Sequence, residues 1–252
     1  MNGCKEVVMP TGICHSCEPC GAVDGQGIRY VLFLAGCALR CKFCHNPDTW
    51  QPTGRPVTVD AVLSDLARYE AFYRFSGGGV TVSGGEPLLQ ADFIAALFRA
   101  CRKQGIHTTL DTAGFAAPAK LAQVLPYTDA VLFSIKTAIP DKHVWLTGRP
   151  PGPILENLRV ATARVPVTVR YVVIPGLTDG AADLTALAAL LHGLPRLVAV
   201  ELLPYHTLGR AKWEGLGRRY PLDGIAGARR EHMLAVQAAL TAQGIKVIEA
   251  EY

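Results

Sequence analysis

The chain has 252 residues and a formal net charge of +4; half of its residues are apolar and 18% are charged. This composition allows a substantial buried core and excludes a globally disordered chain. The mild, scattered positive charge gives no reason to expect nucleic acid as a partner, and no run of about 18 apolar residues predicts a membrane span. The first ten residues lack an apolar stretch, so we expect no secretory signal and a cytoplasmic protein.

Short apolar runs alternate with segments of helical spacing along the chain. The predicted strands are Ile28–Leu34, Gly79–Val82, Thr108–Asp111, Ala130–Ile135, Val167–Ile174 and Val198–Leu203. The predicted helices are Val59–Phe75, Ala91–Gln104, Pro118–Leu125, Ile154–Arg164, Ala181–His192 and Arg229–Gln243. The alternation predicts an α/β fold with a parallel sheet, and six units fit an incomplete (β/α)6 TIM-like barrel. No linker divides the chain, so we expect one domain over residues 1–252, with 1–22 as a cysteine-containing lead-in and 23–252 as the partial barrel.

Polar and glycine-rich residues follow five of the predicted strands. They are Ser83–Glu86, Asp111–Thr112, Ser134–Lys136, Pro175–Gly176 after the strand that carries Arg170, and Leu203–His206. Because ligands of parallel α/β folds bind at the carboxyl ends of the strands, these residues predict one binding mouth.

Three cysteines directly after the first predicted barrel strand carry the strongest chemical signal. Cys37, Cys41 and Cys44 form a Cys-x3-Cys-x2-Cys motif. Three thiolates on one loop can bind a [4Fe–4S] cluster and leave one iron open to a substrate. The alternative is a structural zinc site completed by His45 or another cysteine, although no second cysteine pair follows downstream.

The motif is that of radical S-adenosylmethionine enzymes, and the wider sequence resembles the pyruvate formate-lyase-activating enzymes, a family of glycyl-radical enzyme activases. The stretches that carry the resemblance are residues 23–50, 76–90, 101–115, 170–179 and 201–217. The resemblance implies that a reduced [4Fe–4S] cluster cleaves S-adenosylmethionine and that the resulting 5′-deoxyadenosyl radical takes a hydrogen from a backbone glycine of a partner protein. It implies a glycyl-radical enzyme of the pyruvate formate-lyase type as substrate and a flavodoxin- or ferredoxin-type electron donor.

The resemblance also implies roles for individual residues. Lys136 would neutralise the carboxylate of S-adenosylmethionine, and His206 would bind its ribose. Cys37, Cys41 and Cys44 would bind the cluster, and Asp111 with Thr112 would bind a monovalent cation. The residues expected to contact the cofactor are Phe43, Cys44, His45, Asn46, Gly84, Gly85, Glu86, Asp111, Ser134, Ile135, Lys136, Arg170 and His206. Arg170 could instead be a paired arginine inside the barrel.

Two departures from the family pattern stand out. Ser134 replaces an aspartate that could accept two ribose hydrogen bonds, so we expect weaker ribose binding. The second departure is a group of extra thiols that could bind another metal or be incidental buried cysteines: Cys4, Cys14, Cys17 and Cys20.

The sequence leaves two other functions open. One is the activation of a different glycyl-radical enzyme. The other is a non-catalytic iron–sulfur or zinc protein that acts as an electron carrier or scaffold. A carrier would not need the Ser83–Glu86 loop, Lys136 or His206 at the mouth, so these residues favour the enzyme.

Overall fold

The computed structural model describes residues 9–249, within which nine strands form one sheet. The strands are β1 (Gly12–Gly21), β2 (Arg29–Leu34), β3 (Arg55–Val57), β4 (Gly79–Gly84), β5 (His107–Thr112), β6 (Ala130–Ser134), β7 (Val167–Val173), β8 (Leu197–Pro204) and β9 (Val247–Glu249). Their order across the sheet is β3-β1-β2-β4-β5-β6-β7-β8-β9.

The six predicted strands are β2 and β4 to β8, and they all run parallel to one another. The predicted α/β fold with a parallel sheet is therefore confirmed. β9 adds one more parallel strand at one edge. β1 and β3 extend the other edge in antiparallel orientation, so residues 12–21 of the expected lead-in belong to the sheet. The two edge strands, β3 and β9, are not paired with each other, which leaves the barrel open on one side.

Nine α-helices lie within the described range. They are α1 (Val59–Ala67), α2 (Glu70–Ser76), α3 (Ala91–Lys103), α4 (Pro118–Val124), α5 (Pro140–Thr147), α6 (Gly152–Thr162), α7 (Ala181–Leu191), α8 (Arg210–Gly215) and α9 (Arg230–Ala242). None of them combines the length and hydropathy that crossing a bilayer requires. The predicted helix Val59–Phe75 is in fact two helices, because α1 ends at Ala67 and the chain turns before α2. Phe72 of α2 is exposed.

The core lies between the parallel strands and the helices that connect them. Val80 and Val82 of β4 and Phe93, Leu97 and Phe98 of α3 are fully or almost fully buried. This packing fixes the strands in register, so their carboxyl ends stop at one edge. The residues after β2, β4, β5, β6 and β8 are thereby brought to the same mouth, as the sequence predicts.

At the opposite end of the barrel, Arg29 is completely buried. Its Nε donates to Thr81 Oγ1 at 3.0 Å, and its Nη1 donates to the Gln26 carbonyl at 3.3 Å. Thr81 Oγ1 in turn donates to the Asp24 carbonyl at 2.7 Å. Burial lowers the pKa of Arg29 to about 10, which leaves the side chain charged at neutral pH. Arg29 therefore fixes the turn that precedes β2.

Candidate active site

The three-cysteine segment, residues 37–44, is called the cysteine loop below. Its backbone is held by two other segments: Cys37 N donates to the Trp50 carbonyl at 3.1 Å, and Lys42 N donates to the Leu146 carbonyl at 2.9 Å. Leu146 lies in the last turn of α5, where helix carbonyls lack partners within the helix. The free carbonyl at the end of α5 and the amide of the loop thus satisfy each other's hydrogen-bonding capacity, and this contact fixes the path of the cysteine loop.

All three thiols of the cysteine loop are buried or half-buried. Burial raises the pKa of Cys37 to about 12 and that of Cys41 to about 11, and it also raises the pKa of Cys44. The ammonium group of Lys136 opposes this rise at Cys41 and Cys44. Because metals bind the thiolate form, a positively charged centre bound here would stabilise three ionised sulfurs that burial alone disfavours.

A cavity of about 290 Å³ lies beside the cysteine loop at the carboxyl edge of the sheet. The structure brings most of the predicted site residues together around it: Cys37, Cys41, Phe43, Cys44, His45, Asn46, Gly84, Gly85, Asp111, Thr112, Ser134, Lys136 and His206. The cavity is also lined by four residues that the sequence predicts at the mouth: Ser83, Leu203, Pro204 and Tyr205. Lining residues that the sequence did not identify are Leu39, Thr49, Trp50, Ala113 and Val172. Ala113 directly follows β5, so the carboxyl-edge rule could have identified it.

Two glycines form the wall of the cavity after β4. A Cβ atom on Gly84 would lie 2.1 Å from the Leu34 carbonyl oxygen, and Gly84 has a φ of +125°. A Cβ atom on Gly85 would lie 2.3 Å from the carbonyl oxygen of Gly36. Only glycine allows this turn to pack directly against the end of β2 and the start of the cysteine loop.

Asp111 lines the cavity and is held from behind by Arg170. Ser83 Oγ donates to Asp111 Oδ2 at 2.7 Å, and Arg170 Nη1 donates to the same oxygen at 3.4 Å. Arg170 also pairs with Glu201 through Nε–Oε2 at 2.7 Å and with Asp24 through Nη1–Oδ1 at 3.3 Å. Arg170 itself does not line the cavity, contrary to the predicted cofactor contact, because three carboxylates engage its guanidinium.

Negative charge outweighs positive charge in the cluster formed by Arg170 and its three carboxylate partners. Burial lowers the pKa of Arg170, but Asp111, Glu201 and Asp24 outweigh burial and raise it. Burial raises the pKa of Asp24, and Arg170 only partly opposes that rise. One guanidinium thus faces three carboxylates, which favours a positively charged ligand group on this side of the cavity.

The side chain of Glu86 is placed behind the glycine wall and does not line the cavity, contrary to the prediction. It is 1% exposed. Its Oε1 accepts from Thr112 Oγ1 at 2.5 Å and from Leu88 N at 3.1 Å, while its Oε2 accepts from Ala113 N at 3.1 Å and Phe115 N at 3.3 Å. Burial raises the pKa of Glu86, and these donors oppose the rise. Glu86 therefore organises the turn after β5.

Ile135 is also outside the cavity, since its side chain is buried in the core on the far side of the strand end. Its neighbours Ser134 and Lys136 do line the cavity. The Nζ atom of Lys136 lies 5.8 Å from the centre of the Phe43 ring, so this ammonium group reaches toward the cysteine loop.

Two imidazoles close another side of the cavity. The rings of His45 and His206 meet edge to face with their centres 4.7 Å apart. Burial lowers the pKa of His45, and the neighbouring His206 and Lys212 lower it further. A neutral His45 ring can pack against a flat aromatic ligand without desolvating a charge.

The extra thiols lie on β1, apart from Cys4, which is outside the described residues. Cys14 is buried, whereas Cys17 and Cys20 are exposed. In residues 9–249, no three His, Cys, Asp or Glu side chains are grouped so as to hold a single metal ion. A second metal site on β1 stays a prediction without support from the geometry.

Comparison with known proteins identifies the family. The chain matches the radical SAM superfamily over residues 31–188. It is 42% identical over 241 residues to the pyruvate formate-lyase 1-activating enzyme of Escherichia coli K12, covering 94% of this chain and 98% of that protein. The chain belongs to the pyruvate formate-lyase-activating enzymes of the radical SAM superfamily. It is also 44% identical to a pyruvate formate-lyase-activating enzyme of Staphylococcus aureus, covering 92% of this chain and 94% of the relative.

Solved structures of radical SAM proteins share the fold. A domain of the pyruvate-formate lyase-activating enzyme of Bacteroides vulgatus matches with a TM-score of 0.58 and 28% identity, covering 69% of this chain and all of that one. A radical SAM methyltransferase of Sphaerobacter thermophilus matches with a TM-score of 0.66 and 20% identity, covering 88% and 66% of the two chains. Radical SAM structures have a partial TIM barrel, which agrees with the open sheet described above.

The cavity fits the two cofactors of a radical SAM enzyme, a [4Fe–4S] cluster and S-adenosylmethionine. The three thiols are a suitable donor set for iron. The glycine wall leaves backbone rather than side chains facing the space beside Cys37. Lys136 and Asp111 both line the cavity, and together they match a ligand that carries a carboxylate as well as positive groups. The residues present are therefore compatible with both cofactors.

Proposed function

We propose that this chain activates a glycyl-radical enzyme of the pyruvate formate-lyase type. The observation that carries the proposal is the shared cavity: the three cysteines of one loop, the Gly84–Gly85 wall, Lys136 and His206 all line the same space. When bound, the reduced cluster and S-adenosylmethionine supply the radical that removes a hydrogen atom from a backbone glycine of the partner. The chain's own residues bind and orient these groups.

The residue roles follow from position and chemistry. Cys37, Cys41 and Cys44 hold the cluster. Lys136 pairs with the carboxylate of S-adenosylmethionine, because it is the cavity's cation nearest the cysteine loop. Asp111, which also lines the cavity, faces the positive groups of the cofactor or a monovalent cation.

The nucleoside half of the cofactor fits the remaining walls. His206 and the Ser134 hydroxyl would hydrogen-bond the ribose, and Phe43, His45 and Asn46 would contact the adenine; all five residues line the cavity. The single hydroxyl of Ser134 offers fewer ribose contacts than a carboxylate would. Thr112 contributes less directly, since its hydroxyl already donates to Glu86.

The electron donor is proposed to be a small acidic protein of the flavodoxin or ferredoxin type. Arg40 and Arg149 are exposed beside the cysteine loop, and Lys42 is part of the loop itself. Arg149 Nε donates to the Ala38 carbonyl at 3.2 Å, which keeps its charge next to the loop. Clustered positive charge near the cluster would steer an acidic donor, and salt would weaken that attraction.

Anaerobic reconstitution with iron, sulfide, S-adenosylmethionine and dithionite tests the first step. We expect the protein to form 5′-deoxyadenosine. If the reconstituted protein forms none, the proposed enzymatic activity is refuted. The second step is tested with a pyruvate formate-lyase whose target glycine is deuterated. Label in 5′-deoxyadenosine and a glycyl-radical signal in electron paramagnetic resonance are expected. Cleavage without label transfer from any glycyl-radical partner would show that the substrate belongs to another class.

A further inference from the structure

A short segment from the C-terminal part of the chain, residues 209–213, crosses the exit of the cysteine loop. The indole Nε1 of Trp213 donates to the Cys44 carbonyl at 2.9 Å, although the two residues are 169 positions apart. The neighbouring Lys212 Nζ donates to Asn46 Oδ1 at 2.6 Å. One segment thus contacts the third cysteine and the residue two positions beyond it.

The indole of Trp213 is fixed in orientation by its surroundings. It is 4% exposed. Its ring meets Trp50 edge to face at 5.0 Å and Tyr220 edge to face at 5.8 Å. The hydroxyls of Tyr220 and Tyr205 are 2.9 Å apart, which anchors the second of these rings in turn. Since a buried indole N–H needs an acceptor, the packing directs it to the Cys44 carbonyl.

Gly209 allows the segment to come this close. A Cβ atom at Gly209 would lie 2.8 Å from the Cα atom of His45 and 2.9 Å from its carbonyl oxygen. Its backbone φ of −70° is accessible to any residue, so close approach rather than conformation requires glycine. The approach of segment 209–213 to the cysteine loop is therefore built into the sequence.

We propose that Trp213 is a positioning residue for Cys44, acting through the backbone of the cysteine loop. The loop is fixed near its middle by the end of α5, through Lys42 N and the Leu146 carbonyl. Its last cysteine is fixed by Trp213. The direction of the Cys44 thiol is then set before iron binds, which is how supporting contacts orient metal ligands. The inference rests on the proposed role of Cys44 as a cluster ligand.

The test measures the alkylation of individual cysteines by iodoacetamide in the full, cluster-free chain, resolved by peptide mass spectrometry. Trp213→Phe keeps the aromatic packing and removes only the N–H donor. We expect Cys44 to react about two- to tenfold faster than in the unsubstituted chain, the range set by the loss of one hydrogen bond. Cys101, which is completely buried, reports global loosening and should not change.

Trp145→Phe is the matched control, because Trp145 is half-exposed and its ring packs over Lys42 rather than against Cys44. It should leave the Cys44 rate unchanged. Gly209→Ala provides a second variant that pushes the segment away without altering the indole, and it should accelerate Cys44 in the same direction. If the Trp213→Phe protein does not fold, the Gly209→Ala protein tests the proposal instead.

Unchanged Cys44 reactivity in both variants would overturn the proposal. So would an equal acceleration at Cys37, Cys41 and Cys101, since that would reveal a general loss of stability rather than a local one. The reconstituted Trp213→Phe protein should also show an altered electron paramagnetic resonance signal of the reduced cluster. If the unsubstituted chain makes no 5′-deoxyadenosine while the alkylation pattern holds, the proposed function fails and the positioning contact stands.

Discussion

Replacing Arg170 by methionine should destabilise the protein strongly, because it leaves the buried Glu201 and the half-buried Asp24 and Asp111 without their shared cation. The side chain of Arg170 is 9% exposed, and its pairs with Glu201, Asp24 and Asp111 measure 2.7, 3.3 and 3.4 Å. Methionine preserves much of the apolar stem but none of the charge. Removing one partner of a buried ion pair costs about 3–5 kcal/mol, and we expect a loss in the free energy of unfolding within that range.

The loss should depend on pH in a defined direction. Burial already raises the pKa of Asp24, and without Arg170 that pKa rises further. A carboxyl with a raised pKa binds more protons in the folded than in the unfolded state, so stability falls as the pH rises through that range. The destabilisation should therefore be larger at about pH 8 than at about pH 4, close to the ordinary Asp pKa of 3.8.

Urea denaturation followed by circular dichroism at both pH values measures the effect. The exposed Arg164, substituted by methionine in the same way, is the matched control and should change stability by less than about 0.5 kcal/mol. A loss below about 1 kcal/mol for the Arg170 variant, or the same loss at both pH values, would refute the argument that Arg170 stabilises these carboxylates as their shared cation.

Further predictions concern the cofactors and can be checked by cleavage assays and titration. Cys37→Ala should abolish 5′-deoxyadenosine formation, while Cys101→Ala, distant from the cysteine loop, should retain it. Lys136→Ala should raise the Kd for S-adenosylmethionine about ten- to a hundredfold, through loss of a charge-assisted contact; an unchanged Kd would remove Lys136 from the site. Ser134→Asp should lower that Kd about two- to tenfold by adding a ribose acceptor, and no tightening would show that the ribose lies elsewhere. Gly85→Ala should lower the free energy of unfolding by about 1–3 kcal/mol, since its Cβ would meet a carbonyl oxygen at 2.3 Å; full stability in chemical denaturation would contradict this.

The barrel strands could be predicted because they are buried on both faces and read as continuous apolar runs. β1 could not be predicted in this way, for two reasons. Its pairing with β2 shifts between Cys14 and Ser16 and again between Glu18 and Gly21, so the period-two alternation of a strand is broken twice. Four of its ten residues are also exposed, and its cysteines suggest metal chemistry rather than strand pairing.

Sequence position decides which residues line the cavity where a residue stands at a strand end, as for Asp111, Ser134 and Lys136. It does not decide where the partners of the side chain determine its direction. Glu86 turns inward because four donors meet it there, and Arg170 turns toward Asp24, a residue 146 positions away. Neither set of partners follows from local sequence pattern, since each forms only when distant strands come together.

Two opposite charges face the cavity, and both depend on groups outside it. Lys136 offers a cation near the cysteine loop, and Asp111 offers an anion at the end of β5. Asp111 keeps its orientation through Ser83 and Arg170, and Arg170 is held in turn by Glu201 and Asp24. S-adenosylmethionine carries a carboxylate, an ammonium and a sulfonium group, so fixed charges of both signs on the cavity wall would orient it before chemistry begins. Under the proposed function, the carboxylates around Arg170 contribute to that orientation although Arg170 does not line the cavity.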